Sequence, residues 1–307
     1  MEMTHTPVLA EEVVGSLIQD PAGIYVDATY GRGGHTRMVL SALAPSARLI
    51  VCDRDPEASD HARRQFGTDS RVRVFQGRFS NLGHWLEAQG VMGEIQGILF
   101  DLGVSSPQLM DPRRGFSFQA DGPLDMRMSG EEGSSAADWL SRASLPELER
   151  VIREWGEERY ARRIAQAIVS ERRSGGGEWT TLRLARIVAR SVPRWERDKH
   201  PATRTFQAIR IAVNEELWEL EAALPDAARA LRIGGRLLVV SFHSLEDRIV
   251  KHFFRDHREP RRPTPDLMVS EGFRFRVMGR PIRPSALERH NNPRARSALL
   301  RIGERVS

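Results

Sequence analysis

A glycine-rich run, Asp27-Ala28-Thr29-Tyr30-Gly31-Arg32-Gly33-Gly34-His35, directly follows a short apolar segment. Glycines at such a place let a ligand approach backbone that a side chain would cover. The spacing is G-x-G-G, not the G-x-G-x-x-G of dinucleotide sites. It suits the methionine portion of S-adenosylmethionine, which brings no pyrophosphate. Asp53 stands 20 residues beyond Gly33, where a carboxylate can take ribose hydroxyls. Together they point to a nucleoside cofactor rather than to a plain strand–helix turn. A second polar loop, Asp101-Leu102-Gly103-Val104-Ser105-Ser106-Pro107-Gln108, ends another apolar run. It could orient an acceptor amine, or simply link two domains. A third cluster, His200 to Arg210, has Arg204, Gln207 and Asn214 opposite an apolar stripe, where they bind RNA or face water. His243 follows a late apolar run and either touches substrate or is structural. Asn292-Pro293-Arg294-Ala295-Arg296-Ser297 is a candidate phosphate-contacting loop. The nine histidines form no H-x₃-H pair or similar ligand spacing, so no metal is expected.

These loops need elements to hold them. Ile24–Asp27, Arg48–Asp53, Val72–Phe75 and Ile95–Leu102 read as strands. Helix-spaced apolar residues lie between them, and Pro56 suits a first helical turn. Strand–helix alternation with short links predicts a parallel sheet covered on both faces. The alternation stops near Ser105. Up to His200 no convincing strand occurs, and Leu145-Leu148-Val151-Ile152 and Ile164-Ile168 are helical patterns, with Gly175-Gly176-Gly177 as an interruption. A long helix from Thr205 to Leu224 carries Phe206, Ile209, Val213, Leu217 and Leu220 on one stripe. Gly234-Gly235 introduces a fifth strand, Arg236–Ser241, and Ser244 with Asp247 resembles a capping pair. Phe273–Met278 and Ala298–Ile302 are candidates for a closing strand pair. The expected fold is α/β: a seven-stranded, Rossmann-like class I methyltransferase sheet. Residues 1–105 and 205–307 would form the cofactor domain, and 106–204 an inserted all-helical substrate-recognition domain.

Composition narrows the class. With 307 residues, 40% hydrophobic and 28% charged, the chain is neither mainly disordered nor collagen-like. No apolar run approaches the ~18–20 residues of a membrane span. Met1 to Leu17 carries Glu2, Glu11 and Glu12 without a basic n-region, so no signal peptide is expected. Cys52 is the only cysteine, which excludes an internal disulfide and a Cys-based zinc site and favours the reducing cytoplasm. The net charge of +5 is uneven: from Lys251 onward there are 14 basic and 6 acidic residues, before it 32 and 35. A basic C-terminal part points to a polyanion such as RNA.

Seven runs, Asp27 to His35, Asp101 to Gln108, Arg114 to Phe118, Asp121 to Met128, His200 to Arg210, Ser241 to Arg248 and Asn292 to Ser297, together resemble one family. It is the bacterial small-subunit ribosomal RNA cytosine-N4 methyltransferases, the methyltransferase H family. The resemblance spans nearly the whole chain, with its motifs in order. It implies S-adenosylmethionine-dependent methylation of the exocyclic N4 amine of a cytidine in the decoding region of 16S rRNA. The cofactor contacts it implies are Gly33, Gly34, His35, Asp53, Phe79, Asp101 and Gln108. Catalytic acceptors near N4 would be Asp101, Ser105 and Ser106, and RNA contacts Arg204, Arg294 and Arg296. The partner would be 16S rRNA within the small subunit, without a membrane, the protein being a monomer or homodimer. One departure stands out: Ser105-Ser106-Pro107-Gln108 replaces the Asp/Asn-Pro-Pro-aromatic run of many amino-methyltransferases, so the ring that stacks on the target base comes from elsewhere. Methylation at cytosine C5 uses a cysteine nucleophile, and Cys52 inside a strand disfavours it. Two other classes compete, an NAD-dependent oxidoreductase, which the glycine spacing disfavours, and a non-catalytic RNA-binding factor.

Overall fold

A computed structural model describes residues 7–130, 132–175, 177–196, 200–259 and 272–307. Gly176 of the triple-glycine run, Arg261 and Arg262 of the basic C-terminal part, and the first six residues lie outside that set. The chain divides into two compact units, one of residues 1–103 with 217–307 and one of 104–216.

The first unit is built on the expected seven-stranded sheet. Its strands are β1 (Ile24–Asp27), β2 (Arg48–Asp53), β3 (Val72–Gln76), β4 (Ile95–Asp101), β5 (Leu231–Ser241), β6 (Phe275–Val277) and β7 (Leu299–Arg305), in the order β3-β2-β1-β4-β5-β7-β6. β1 to β5 pair in parallel, and β7 runs antiparallel between β5 and β6. The central strands are near-continuous apolar runs because both faces are covered. Side-chain alternation then sorts them. Val26, Ile50, Cys52, Ile98, Phe100, Leu237 and Val239 pack on one face. Tyr25, Leu49, Val51, Leu99, Leu238 and Val240 pack on the other. β2, β1 and β4 are neighbours and each ends in an aspartate, Asp53, Asp27 and Asp101. The strand order reverses between β1 and β4, the point where open α/β sheets bind ligands at their carboxyl edge.

The second unit is helical, with helices Ala136–Arg142, Leu145–Glu154, Ala161–Arg173, Thr181–Ser191 and Ala202–Asn214. Its own core includes Leu140, Leu148, Ile152, Ile164, Ile168, Leu184, Val188 and Phe206. Among the described residues it contains no strand, only an isolated bridge between Pro123 and Thr180.

Four expectations are corrected. The long helix 205–224 is two helices, Ala202–Asn214 and Glu216–Ala230. Glu215 between them is left-handed, at φ 54°, and Asn214 turns inward: its Nδ2 donates to Met126 O and its Oδ1 accepts from Met128 N. The unit boundary therefore falls after Glu216 rather than at 204/205, and the helix 202–214 belongs with the helical unit. β5 begins at Leu231, not Arg236, passing through Gly234 at φ 82° and a shift in pairing with β4. The helix Ser244–Asp256 is capped by His243 with Glu246, while Asp247 pairs with Arg301 at 2.6 and 3.0 Å. No described helix is long and apolar enough to cross a membrane.

Candidate active site

At the end of β2 the Asp53 carboxylate accepts two backbone N–H bonds, from Gly31 (2.7 Å) and from Asp55 (2.9 Å). It thereby fixes the glycine loop. The role of helix cap is taken by Asp55, which accepts from Glu57 N, so Asp53 is not spent there. Burial pushes the Asp53 carboxyl up to about 6, against those two hydrogen bonds. The loop itself turns through Gly31 (φ 57°) and Gly33 (φ 70°). A Cβ on Gly33 would stand 2.6 Å from the Tyr30 ring. That ring is buried, and its hydroxyl lies 2.7 Å from His61 Nδ1.

Asp27 and Asp101 end the two strands at the reversal. Asp27 is buried, accepting from Thr36 Oγ1 at 2.6 Å and from Thr29 N at 3.2 Å. Burial raises its carboxyl above the ordinary value, and the Thr36 hydroxyl offsets part of this. Asp101 N donates to Thr29 Oγ1 at 2.6 Å. His35 is buried, with Nε2 3.0 Å from Val8 O and Nδ1 3.4 Å from Asp101 Oδ2. Burial works against a charge on His35, yet the hydrogen bond and charge of Asp101, with Asp27 adding, raise its imidazole above the ordinary value. The other Asp101 oxygen, Oδ1, is buried and has no hydrogen-bond partner among the described residues. A buried acceptor left unmet is costly and marks a place for a donor or a cation.

Residues 2–306 match the profile of the MraW methylase family. The chain belongs to that family. Members are S-adenosylmethionine-dependent methyltransferases. A Ribosomal RNA small subunit methyltransferase H from Thioalkalivibrio sulfidiphilus is 51% identical over 307 residues, covering 99% of this chain and 98% of its own. One from Idiomarina loihiensis is 50% identical, with 98% and 97% covered. A solved putative methyltransferase from Streptococcus mutans, in complex with SAH, aligns with a TM-score of 0.41 at 14% identity over 97% of this chain and 95% of its own.

The first unit of this MraW methylase family member fits its cofactor. The glycine turn leaves backbone open, Asp53 retains lone pairs for hydroxyl donors, and the unmet Asp101 Oδ1 suits a cationic or N–H-bearing group. Phe79, half-buried and edge-to-face with Phe100 at 5.5 Å, offers an apolar wall. Gly34 opens the helix Gly34–Ala42 behind Gly33. His35 differs from the expectation: both ring nitrogens are engaged by protein, so it steadies Asp101 instead of facing a ligand with its ring.

Other residues lie in the helical unit. Ser105 precedes the helix Ser106–Met110, and its N–H donates to Oε1 of the buried Gln108 at 2.9 Å. Arg204 lies 2.8 Å from Glu196 and 3.9 Å from Glu158, so it meets any RNA already paired. Gln207 does not face water either, since its Nε2 donates to Trp155 O. In the first unit Arg294 is half-buried, which lowers its guanidinium below the ordinary value, while Arg296 is exposed. Sequence reasoning missed Thr29, Thr36 and His61. The two threonines stand in or beside the glycine run, where a hydroxyl next to strand-end aspartates is a usable signal. His61 carries none.

Proposed function

We propose that this enzyme transfers the methyl group of S-adenosylmethionine to the exocyclic N4 amine of a cytidine in the decoding region of 16S rRNA, working with the small ribosomal subunit in the cytoplasm. The observation that carries this reading is the Asp101 carboxylate at the end of β4, with one oxygen tied to His35 and the other buried and unmet. Bound S-adenosylmethionine supplies an electrophilic methyl on a sulfonium. The chain must then align the amine for in-line attack and receive its proton. Cytosine N4 is a weak nucleophile because its lone pair is delocalised into the ring. An acceptor beside N4 favours the pyramidal nitrogen that attacks and takes the proton as the new C–N bond forms. Asp101 Oδ1 serves as that acceptor, its orientation held by His35. Ser105 and Ser106, just after it in the chain, are proposed as further acceptors, with Gln108 completing the cofactor set. Arg294 and Arg296 hold phosphates, positioning the strand without reading it.

Cys52 supports amine over ring-carbon methylation. It is fully buried in β2, and burial raises its thiol well above the ordinary value, the wrong direction for a nucleophile. The deciding experiment incubates the protein and radiolabelled cofactor with unmethylated small subunits and with naked 16S RNA, then digests to nucleosides. N4-methylcytidine from either substrate supports the reading. Label in 5-methylcytidine, or no label at all, refutes it.

A further inference from the structure

We propose that Trp195 is a stacking platform for one unpaired nucleotide of the RNA substrate, with Arg159 and Arg194 on the adjoining phosphates. The proposal rests on the reading of the protein as an RNA methyltransferase. Trp195 is 57% exposed. A lone exposed apolar side chain is ordinary on a protein surface, so exposure by itself decides nothing. What distinguishes this indole is its support. It meets His200 edge-on at 5.6 Å; His200 lies 4.7 Å from Phe118; and Phe118 meets the buried Phe206 edge-on at 4.8 Å. A ladder of rings thus runs from the helical unit's core to its surface and ends in an indole more than half exposed. The rotamer entropy that a free surface tryptophan would lose on binding is already spent.

The surroundings select the occupant. The shallow depression beside Trp195 is also lined by Arg159, Tyr160 and Arg194, and it encloses only about 20 Å³. That is room for one water molecule, so nothing is swallowed there; a ligand lies flat on the surface. The Arg159 guanidinium sits 4.6 Å over the Tyr160 ring. Two carboxylates line the same depression, Glu158 and Glu196, and Arg204 pairs with both. Arg159 and Arg194 are exposed, and among the described residues no carboxylate lies within ion-pair distance of either. An aromatic face rimmed by arginines is the chemistry that takes unstacked bases together with their backbone. A duplex offers no free base face. An apolar protein segment would cover the Arg159 and Arg194 guanidinium groups without bringing them an anionic partner.

The test uses the full chain saturated with S-adenosylhomocysteine and a single-stranded octacytidylate, with affinity read by fluorescence anisotropy. Trp195→Ala should raise Kd roughly 5- to 150-fold, the usual worth of one base stacked on a ring. Trp195→Phe, which keeps a π-face, should stay within about threefold of wild type. Neither should change affinity for an RNA duplex of equal length. Arg159→Ala with Arg194→Ala should lower the salt slope by about 1.4, at ~0.7 per contact on single strands. Unchanged affinity in Trp195→Ala overturns the proposal, as does an equal loss on duplex or an equal loss in Trp195→Phe. Weakened binding to whole subunits with unchanged binding to the oligomer hands the platform to a ribosomal protein and also overturns it. Wild type that binds no oligomer overturns it as well. Wild type that binds the oligomer but methylates no subunit refutes only the functional reading.

Discussion

Asp53→Asn should separate what the fold wants at the end of β2 from what the cofactor wants. The wild-type carboxyl titrates near 6 in the folded protein, against an ordinary value of 3.8. A carboxyl raised by folding contributes stability while protonated. That contribution is fully present below about pH 3.8 and is lost as pH rises through about 6. At 1.36 kcal/mol per pH unit the loss reaches about 3 kcal/mol as an upper figure. Asparagine cannot ionise, so its effect on this balance is flat. It also replaces one of two acceptor oxygens by an NH₂ group facing a backbone N–H, from Gly31 or Asp55, at a fixed cost of about 1–3 kcal/mol. The difference in unfolding free energy between variant and wild type should therefore move in favour of the variant by up to about 2.4 kcal/mol between pH 4 and 7, the rest of the change lying below pH 4. Its absolute value is set by the lost hydrogen bond and is not diagnostic. Urea unfolding at closely spaced pH values measures the difference directly. Cofactor affinity should run the opposite way. The charged carboxylate is the better hydroxyl acceptor, so wild-type affinity for S-adenosylhomocysteine should rise through pH 6, whereas the variant should bind roughly 10- to 150-fold more weakly with no such rise, as charge-assisted hydrogen bonds contribute about 1.5–3 kcal/mol. A pH-independent stability difference would refute the buried-carboxyl argument. Wild-type affinity flat across pH 5–7 by calorimetry would remove Asp53 from the binding site.

Three further outcomes follow from the same geometry. Asp101→Asn should fold normally and lose about 100-fold or more in single-turnover methyl transfer; a normal rate would make Asp101 a bystander. Gly33→Ala places a Cβ against the Tyr30 ring at a left-handed position, so it should cost about 1–3 kcal/mol in chemical denaturation and weaken cofactor binding, while unchanged stability would mean the turn is relaxed. Arg294→Ala with Arg296→Ala should flatten the salt slope on single-stranded RNA by about 1.4 at unchanged cofactor affinity; an unaltered slope with a lower melting temperature would make the pair mere supports for β7.

The sheet was legible because its central strands are buried on both faces and carry uninterrupted apolar runs such as Leu49–Cys52 and Leu237–Val240. The three strand-end aspartates were legible for the same reason, since each closes such a run. Elements that depend on one residue's backbone state were not. Glu215 holds a left-handed conformation that its residue type does not advertise, so two helices looked like one. A polar residue on an amphipathic helix normally faces water, yet Asn214 is buried because its three partners are Met126 O and Met128 N, 88 and 86 positions away, and Arg210 O within its own helix. His35 was readable as part of a motif but not as a strut for Asp101, because Val8 O, its second partner, precedes it by 27 positions and lies outside the motif.

The placement of the helical unit between β4 and β5 sets a schedule for synthesis. Leu231, at the start of β5, follows Asp101 by 130 positions. At roughly 5–20 residues per second on the ribosome, β4 spends about 6 to 26 s with one edge paired to β1 and the other open. β5 then waits for β7, its antiparallel neighbour, before its own outer edge is covered. An exposed apolar strand edge invites pairing with another chain. The helical unit, whose helices contact one another locally, can fold during that interval and draw the ends of the gap together, shortening the loop that β4–β5 pairing must close. A variant whose helical unit folds slowly should therefore aggregate during translation even where its purified, refolded form is as stable as wild type.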